Sequence, residues 1–331
     1  MTLKNPNLHV FGIFDINNTM TFTDSTKGKK SNPFISQLAE RFKAVWKENT
    51  EEMSYKDFVQ KIEFKDQDKY NPQIKEAQEG KINNFLNYLK EIKHPLYEKT
   101  LTVYSELEEK YGDKGENDTG IKIFPSFYYF VSLIRKVATC SVVLMTFGND
   151  GKKVGDALSK NGWENISYAK MQPGGGLKFE GEEAILQGAE LLNRLKKTTA
   201  IVQVSFEHWK ENACQASSGK IVPCVADGVF GENEKVVSVF FDDNLDKKII
   251  KASTIKKEDL IEEKSPDLLN VANPKVKNIA FPKDINNKMI NWNAPGIIGI
   301  SVDTIKAALD PNYFIGKARK PLNKRGITIL N

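Results

Sequence analysis

The chain has 331 residues, of which 40% are hydrophobic and 27% are charged, a composition typical of a globular protein with enough apolar material for a large core. Its 48 Lys and Arg and its 43 Asp and Glu residues are interspersed and leave a net charge of +5, which argues against a dedicated nucleic-acid surface. The length fits one large domain or two domains of ordinary size.

Cysteine usage and hydropathy favour a cytoplasmic protein. The three cysteines, Cys140, Cys214 and Cys224, form no C-x-x-C pair and are too few for a disulfide framework. The first ten residues lack the apolar core of a signal peptide. The most apolar long stretch, 127–147, is interrupted by two basic residues and predicts no membrane span. We expect a cytoplasmic protein, and export by a route without a recognisable signal stays open.

Three short apolar runs predict buried parallel strands that each end at a polar residue. The runs are HVFGIF at 9–14, CSVVLM at 140–145 and VVSVFF at 236–241. Continuous apolar runs suit strands that helices cover on both faces. The carboxyl ends of such strands line the ligand crevice of an open α/β sheet. We therefore expect the side chains that follow the runs to converge, namely Asp15, Thr146, Asp242 and Asp243.

The long segment between the first two predicted strands indicates an inserted helical subdomain over residues 23–134. Its first helix has Asn32 as a candidate N-cap and an apolar face that continues to Trp46. A crossover between parallel strands needs only about a dozen residues, so the excess predicts a separate unit. The remaining residues, 1–22 and 135–331, are expected to form a discontinuous α/β core with a Rossmann-like parallel sheet.

The residues at the ends of the three runs resemble motifs of the haloacid dehalogenase-like (HAD) superfamily. The stretch D-I-N-N-T at 15–19 resembles the first motif, D-x-D-x-T, with an amide in place of the second acid. VVLMTFG, which contains Thr146, is similar to the second motif. VVSVFFDDN, with Asp242 and Asp243, is similar to the fourth. The resemblance implies that the insert is an all-helical cap of the C1 type.

The third motif of this superfamily is a single Lys or Arg with little sequence context. Lys220, in SSGKIVPC upstream of the fourth motif, is the preferred match. Lys210 and Lys178 remain as alternatives. A cation at this position would hold a phosphate oxygen and would keep a neighbouring carboxyl group ionised.

The resemblance implies a Mg²⁺-dependent phosphohydrolase that acts on a phosphorylated small molecule or a phosphoprotein. Asp15 would attack phosphorus and form an aspartyl-phosphate. Mg²⁺ prefers hard oxygen ligands, which would come from Asp15, the Asn17 carbonyl, Asp242 and Asp243. The phosphate would contact Thr146, Phe147, Gly148 and Lys220.

Asn17 is the residue that departs from the phosphatase pattern. An amide cannot exchange a proton as a carboxylic acid does, and the loss of a general acid/base typically costs about 10²–10⁴ in rate. A substrate with a good leaving group, such as an aryl (phosphotyrosine-like) phosphate, would be affected least. Two further interpretations stay open: a catalytically weak domain that binds a phosphorylated ligand or a protein partner, and a non-phosphatase hydrolase of the same fold.

Overall fold

The chain divides into two compact units. One consists of residues 1–21 and 120–331, and the other of residues 22–119. The computed structural model describes residues 4–23, 32–68, 71–112, 120–172, 176–186, 188–205, 207, 220–225, 233, 235–243, 245, 253–254, 276–280, 288–289 and 297–329.

The first unit contains most of the strands, and the second unit contains mostly helices. The strands, in chain order, are β1 (Leu8–Asp15), β2 (Lys43–Ala44), β3 (Met53–Ser54), β4 (Thr139–Thr146), β5 (Ile166–Met171), β6 (Leu177–Phe179), β7 (Ile185–Leu186), β8 (Thr199–Gln203), β9 (Ile221–Val225), β10 (Lys235–Asp242), β11 (Ser253–Thr254), β12 (Val276–Ala280), β13 (Lys288–Met289) and β14 (Ile297–Ser301). The helices, in chain order, are α1 (Pro33–Arg41), α2 (Tyr55–Phe58), α3 (Pro72–Asn83), α4 (Phe85–Glu91), α5 (Tyr97–Tyr111), α6 (Pro125–Val137), α7 (Gly151–Lys160), α8 (Gly188–Lys197), α9 (Thr304–Leu309) and α10 (Tyr313–Asn323), and a π-helical turn over Val59–Glu63 follows α2. Among the described residues, no helix is both long and apolar enough to cross a membrane.

The first unit contains an eight-stranded sheet in the order β14-β10-β1-β4-β8-β5-β6-β7. The six strands from β14 to β5 run parallel, and β6 and β7 add an antiparallel edge. The chain passes from β1 to β4 on one side of β1 and from β10 to β14 on the other side. The switch point of the sheet, where ligands bind in folds of this kind, therefore lies between β1 and β10.

The apolar runs form the centre of this sheet, as the sequence predicts. The runs at 9–14, 140–145 and 236–241 lie within β1, β4 and β10. All eight residues of β1 are buried, which requires cover on both faces of the strand. The mostly parallel α/β architecture of a Rossmann-like core is thereby confirmed.

Phe14 in β1 is the centre of an aromatic cluster that fixes α6 and α10 on the sheet. Its ring stacks on Phe241 of β10 at a centroid distance of 4.7 Å. It also meets Phe127 and Phe130 of α6 and Phe314 of α10 edge-on, at 5.0, 5.7 and 5.5 Å. Such pairs stabilise by about 0.5–1.5 kcal/mol each beyond their buried area. Because of this packing α6 belongs to the first unit, and the division falls after residue 119, whereas the sequence analysis set it after residue 134.

The second unit is mostly helical, but the expectation of an all-helical unit is wrong. Helix α1 begins as predicted, because the Asn32 side chain accepts hydrogen bonds from the backbone of Phe34 and Ile35 at 3.0 and 3.1 Å. The helix ends at Arg41, however, and does not continue to Trp46.

Contacts of the Trp46 side chain explain this early helix end. Its indole N–H donates to the Met53 carbonyl at 2.7 Å, and its ring packs edge-on against Tyr55 at 5.2 Å. These contacts go with an extended backbone, in which β2 pairs antiparallel with β3. Tertiary contacts of one aromatic residue therefore override the helical periodicity.

Stability below neutral pH is expected to depend on His9 of β1. The His9 side chain is fully buried, and its Nε2 lies 3.0 Å from the Ser141 hydroxyl of β4. Burial, together with the charges of Lys196 and Lys4, lowers the pKa of His9 from 6.5 to about 4. The unfolded chain thus binds the His9 proton more tightly, so the free energy of unfolding rises with pH between about 4 and 6.5.

Replacing His9 removes this pH dependence. We expect wild-type protein to lose about 3 kcal/mol more than His9→Gln as the pH falls from 7.5 to 4, at 1.36 kcal/mol per pKa unit. Urea unfolding at several pH values gives the free energy of unfolding of each protein. The carboxylate titrations that the two proteins share cancel in the difference between these free energies. Parallel stability curves for the two proteins would contradict the assignment.

A close approach between α7 and β5 requires glycine at position 155. A Cβ added at Gly155 would lie 2.8 Å from the Tyr168 ring carbon Cζ and 3.1 Å from Ile201 Cδ1. We expect Gly155→Ala to destabilise by about 1–3 kcal/mol because the rigid tyrosine ring must shift. Gly316→Ala in α10 is the matched control. Among the described residues, and apart from its chain neighbours and the helix backbone, no heavy atom lies within 4 Å of its added Cβ, so this variant should be more stable by about 0.5–1 kcal/mol. Thermal unfolding of both variants tests the pair, and equal shifts would contradict the close approach.

Candidate active site

Three carboxylates meet at the switch point of the sheet. Strand register pairs Phe14 with Phe241, so Asp15 and Asp242 end their neighbouring strands at the same level. Asp15, Asp242 and Asp243 each offer a carboxylate oxygen, and these oxygens lie within 4.8 Å of one another. The three residues are 4%, 0% and 9% exposed. Buried carboxylates are costly unless a cation or a metal offsets their charge.

Lys220 supplies a cation between two of these carboxylates. Its ammonium group donates to Oδ1 of Asp15 and, at 3.1 Å, to Oδ2 of Asp242. The lysine side chain is 3% exposed. Lys220 lies immediately before β9, which pairs antiparallel with β12 outside the main sheet. Lys220, which offsets the carboxylate charge at the ends of β1 and β10, is thus followed directly by a separate two-stranded ribbon.

The charges of this cluster determine one another's protonation. Burial raises the pKa of Asp15 well above its usual range, Lys220 lowers it, and the charges of Asp242 and Asp243 raise it further. Burial also lowers the pKa of Lys220, but the neighbouring Asp15 and Asp242 outweigh that effect and raise it. Lys220 therefore stays protonated, and a cation bound beside Asp15 would lower the pKa of that carboxyl group.

Thr19 connects the loop after β1 with the end of β10. Its hydroxyl accepts a hydrogen bond from the Asp243 backbone N–H at 3.1 Å and lies 3.5 Å from Oδ2 of Asp15. The intervening Asn18 adopts a left-handed backbone conformation with φ of 59°, which lets the chain turn sharply after the strand. The turn brings Thr19, at the end of the D-I-N-N-T motif, back toward Asp15 and Asp243.

A second set of hydrogen bonds joins the same loop to the end of β4. The Thr146 hydroxyl donates to Oδ1 of Asn17 at 2.6 Å and accepts from the Gly148 backbone N–H at 2.9 Å. The other side of the amide, Nδ2 of Asn17, donates to Oδ2 of Asp150 at 2.8 Å. The Asn17 side chain is therefore held between Thr146 and Asp150.

The structure places the predicted site residues in these two sets of contacts, which share the loop after β1. Phe147 lies beneath the cation, with the Lys220 ammonium 5.3 Å from the centre of its ring. Of the two alternative lysines, Lys178 is exposed on β6, and Lys210 lies outside the described residues. Lys220 is thus the candidate for which the described structure provides carboxylate partners.

Thr19 and Asp150 are site residues that local sequence patterns do not identify. Thr19 lies within the D-I-N-N-T motif, but no pattern around it indicates a role. Asp150 directly precedes α7, which suggests an ordinary helix N-cap. Its side chain makes no capping hydrogen bond and is 2% exposed, and it accepts from Asn17 instead. Neither its burial nor its unused cap is visible in the sequence, so no local signal distinguishes Asp150 from an ordinary N-cap.

The donor set fits a hard divalent cation. Ionised Asp15, Asp242 and Asp243 carry three negative charges, of which the Lys220 ammonium offsets one and a divalent cation would offset two more. Carboxylate oxygens are the ligands that Mg²⁺ prefers, at about 2.0–2.1 Å. Ligand oxygens around such an ion lie about 3–4 Å apart, which is compatible with oxygens within 4.8 Å of one another.

Comparisons with known proteins found no match to this chain: no family model, no curated protein and no solved structure is similar to it. What the site does is therefore inferred from its own residues and their geometry.

Removing the Lys220 ammonium is expected to destabilise the fold. Lys220→Met leaves Asp15 and Asp242 buried without that cation, which typically costs about 3–5 kcal/mol. Lys178→Met, at an exposed lysine, should change stability by less than about 0.5 kcal/mol. Urea unfolding at pH 8 in metal-free buffer measures both variants. Equal stability of the two would show that the Lys220 contacts contribute nothing to folding.

Proposed function

We propose that this protein is a Mg²⁺-dependent phosphohydrolase of the HAD type, with Asp15 as its nucleophile. The observation that carries the proposal is the meeting of Asp15, Asp242 and Asp243 within 4.8 Å at the switch point of a parallel sheet. Lys220 bridges two of these carboxylates from outside the sheet. A structural acid cluster does not require this combination of convergent charges, whereas phosphoryl transfer requires positioning and charge neutralisation of this kind.

Asp15, Asp242 and Asp243 would hold the cation, together with the Asn17 carbonyl. The bound Mg²⁺ would neutralise charge on the transferring phosphoryl group and lower the pKa of Asp15. Asp15 then has an ionised oxygen, and Lys220 keeps its own proton among the carboxylates. The nucleophile would be activated by this charge balance, and no neighbouring base is needed to deprotonate it.

The reaction would proceed in two displacements at phosphorus. An oxygen of Asp15 forms a bond to phosphorus while the bond to the leaving oxygen breaks, and the electron pair goes to the leaving group. Water then attacks the aspartyl-phosphate, the bond between phosphorus and the Asp15 oxygen breaks with its electron pair returning to the Asp15 carboxylate, and both hydrogens of the water depart with the phosphate as dihydrogen phosphate. Lys220 would hold a nonbridging phosphate oxygen throughout, since its ammonium lies against Asp15.

Asn17 limits the substrates that such a site can use. Its amide cannot protonate a leaving group, and both of its polar atoms already have partners in Thr146 and Asp150. An aryl oxide leaves without prior protonation, so we propose an aryl phosphate, either a small molecule or a phosphotyrosine-like protein side chain. A sugar or serine phosphate would react more slowly.

One observation favours a second candidate function, a catalytically weak domain that binds a phosphorylated ligand. The Thr146 hydroxyl has a single proton, and this proton points at Asn17 Oδ1. In this arrangement Thr146 has no proton to donate to a phosphate oxygen. A phosphate would then be held by Lys220 and the cation, with slow turnover.

The second unit, residues 22–119, is inserted in sequence between β1 and α6. We propose that it is a mostly helical cap of the C1 type that selects the organic part of the substrate.

We also propose a cytoplasmic location. Cys140 in β4 is a half-buried free thiol, and desolvation raises its pKa to about 12.

Hydrolysis of p-nitrophenyl phosphate tests the proposed activity. We expect turnover with Mg²⁺, loss of turnover when a chelator removes the metal, and at least a 10³-fold loss in Asp15→Asn, which replaces the nucleophile. Asp156→Asn, at an exposed acid on α7, is the matched control and should retain wild-type activity. Release of p-nitrophenolate is followed spectrophotometrically.

Three outcomes separate the candidate functions. Turnover that survives Asp15→Asn would rule out Asp15 as the nucleophile. Binding of Mg²⁺ and BeF₃⁻, measured by calorimetry, without turnover would favour the phosphate-binding domain. Hydrolysis of carbon–halogen or carbonyl substrates without phosphatase activity would favour a non-phosphatase hydrolase of the same fold.

A further inference from the structure

The contact between Asn17 and Asp150 has a fixed chemical polarity. Oδ2 of Asp150 accepts a hydrogen bond from Nδ2 of Asn17 at 2.8 Å, so the donor side of the amide faces the carboxyl group. The opposite side of the amide, Oδ1, accepts from the Thr146 hydroxyl, whose own oxygen is taken by the Gly148 N–H. In each of these three hydrogen bonds a donor faces an acceptor. Reversing the amide would set two donors against each other at Thr146 and two acceptors at Asp150.

Burial strengthens this requirement. Asp150 and Thr146 are 2% and 1% exposed, while Asn17 between them is half-buried. Away from bulk water, an unmatched donor or acceptor costs more than it does at the surface. The side chain at position 17 must therefore offer a donor to Asp150 and an acceptor to Thr146, which an asparagine does and an aspartate does not.

We infer that Asp150 is a positioning residue that selects an amide at position 17 and fixes its orientation. The inference deepens the proposed function and rests on it for its catalytic meaning: Asp150 would determine that the residue two places after the nucleophile has no proton to exchange. The choice of substrate would then depend on Asp150, in the loop between β4 and α7, as well as on the first motif.

The inference predicts that the two side chains are exchangeable only as a pair. Asn17→Asp alone replaces the Nδ2 donor with an oxygen, so two carboxyl oxygens face each other at the 2.8 Å separation now occupied by a hydrogen bond, and the two groups cannot both stay ionised without a cost in free energy. In the double variant Asn17→Asp/Asp150→Asn, the amide at 150 donates to the carboxylate at 17. The hydroxyl of Thr146 still finds an acceptor. Donors and acceptors match again, with the same number of heavy atoms.

Four proteins test this prediction: wild type, Asn17→Asp, Asp150→Asn and the double variant. We expect Asn17→Asp to lower the midpoint of thermal unfolding by about 5 °C or more. Asp150→Asn keeps an acceptor for Asn17, so it and the double variant should lie within about 2 °C of wild type. The four midpoints form a double-mutant cycle that isolates the coupling between the two positions. These measurements require no catalytic activity.

Catalysis provides a second readout, which a purely structural contact would not move. With Mg²⁺, the double variant should hydrolyse β-glycerophosphate, a substrate with an alkyl leaving group, at least 10-fold faster than Asn17→Asp. Additive midpoints, or failure of the double variant to recover from the Asn17→Asp loss, would overturn the inference. Failure of the proposed function is seen separately, as turnover that does not depend on Asp15.

Discussion

The buried contact of one ammonium group with two carboxylates is the interaction on which the rest of the site depends. Lys220 donates to Asp15 and Asp242 where both strands end, and the three side chains are almost completely removed from water. Charges in such a place are tolerated only with close partners. The parallel register of β1 and β10 brings the acids together, and the chain just before β9 brings the cation. The electrostatics thus tie the central sheet to a segment outside it.

The loop after β1 joins this charge cluster to a second network of hydrogen bonds. Toward β10, Thr19 contacts the backbone of Asp243, and toward β4, Asn17 lies between Thr146 and Asp150. The loop is thus held from both neighbouring strands. Pre-arranged side chains of this kind need little reorganisation when charge develops on a substrate, which is the main electrostatic advantage of an enzyme site.

Local sequence patterns predict three central strands of the sheet and their strand-end acids, because an apolar run followed by an acid is visible without knowing the fold. Lys220 was preferred only through the resemblance to the HAD motifs, since a lysine among many has no local signature. Asp150 was missed because its contact with Asn17 spans 133 positions. The helical pattern up to Trp46 predicts too long a helix. Contacts of Trp46 with Met53 and Tyr55 keep that segment extended, and the periodicity of the sequence does not reveal such contacts.

The ribbon formed by β9 and β12 has a consequence for biosynthesis. Lys220 is 205 positions away from Asp15 in the chain, and β9 pairs with a strand at Val276–Ala280. During translation, β1 therefore leaves the ribosome long before its counter-charge and before β10. Contacts of such long range form slowly. Until then β1 has cover only from β4 and α6, which emerge earlier, and its edge toward β10 stays open. A chaperone would have the greatest effect on yield during this period.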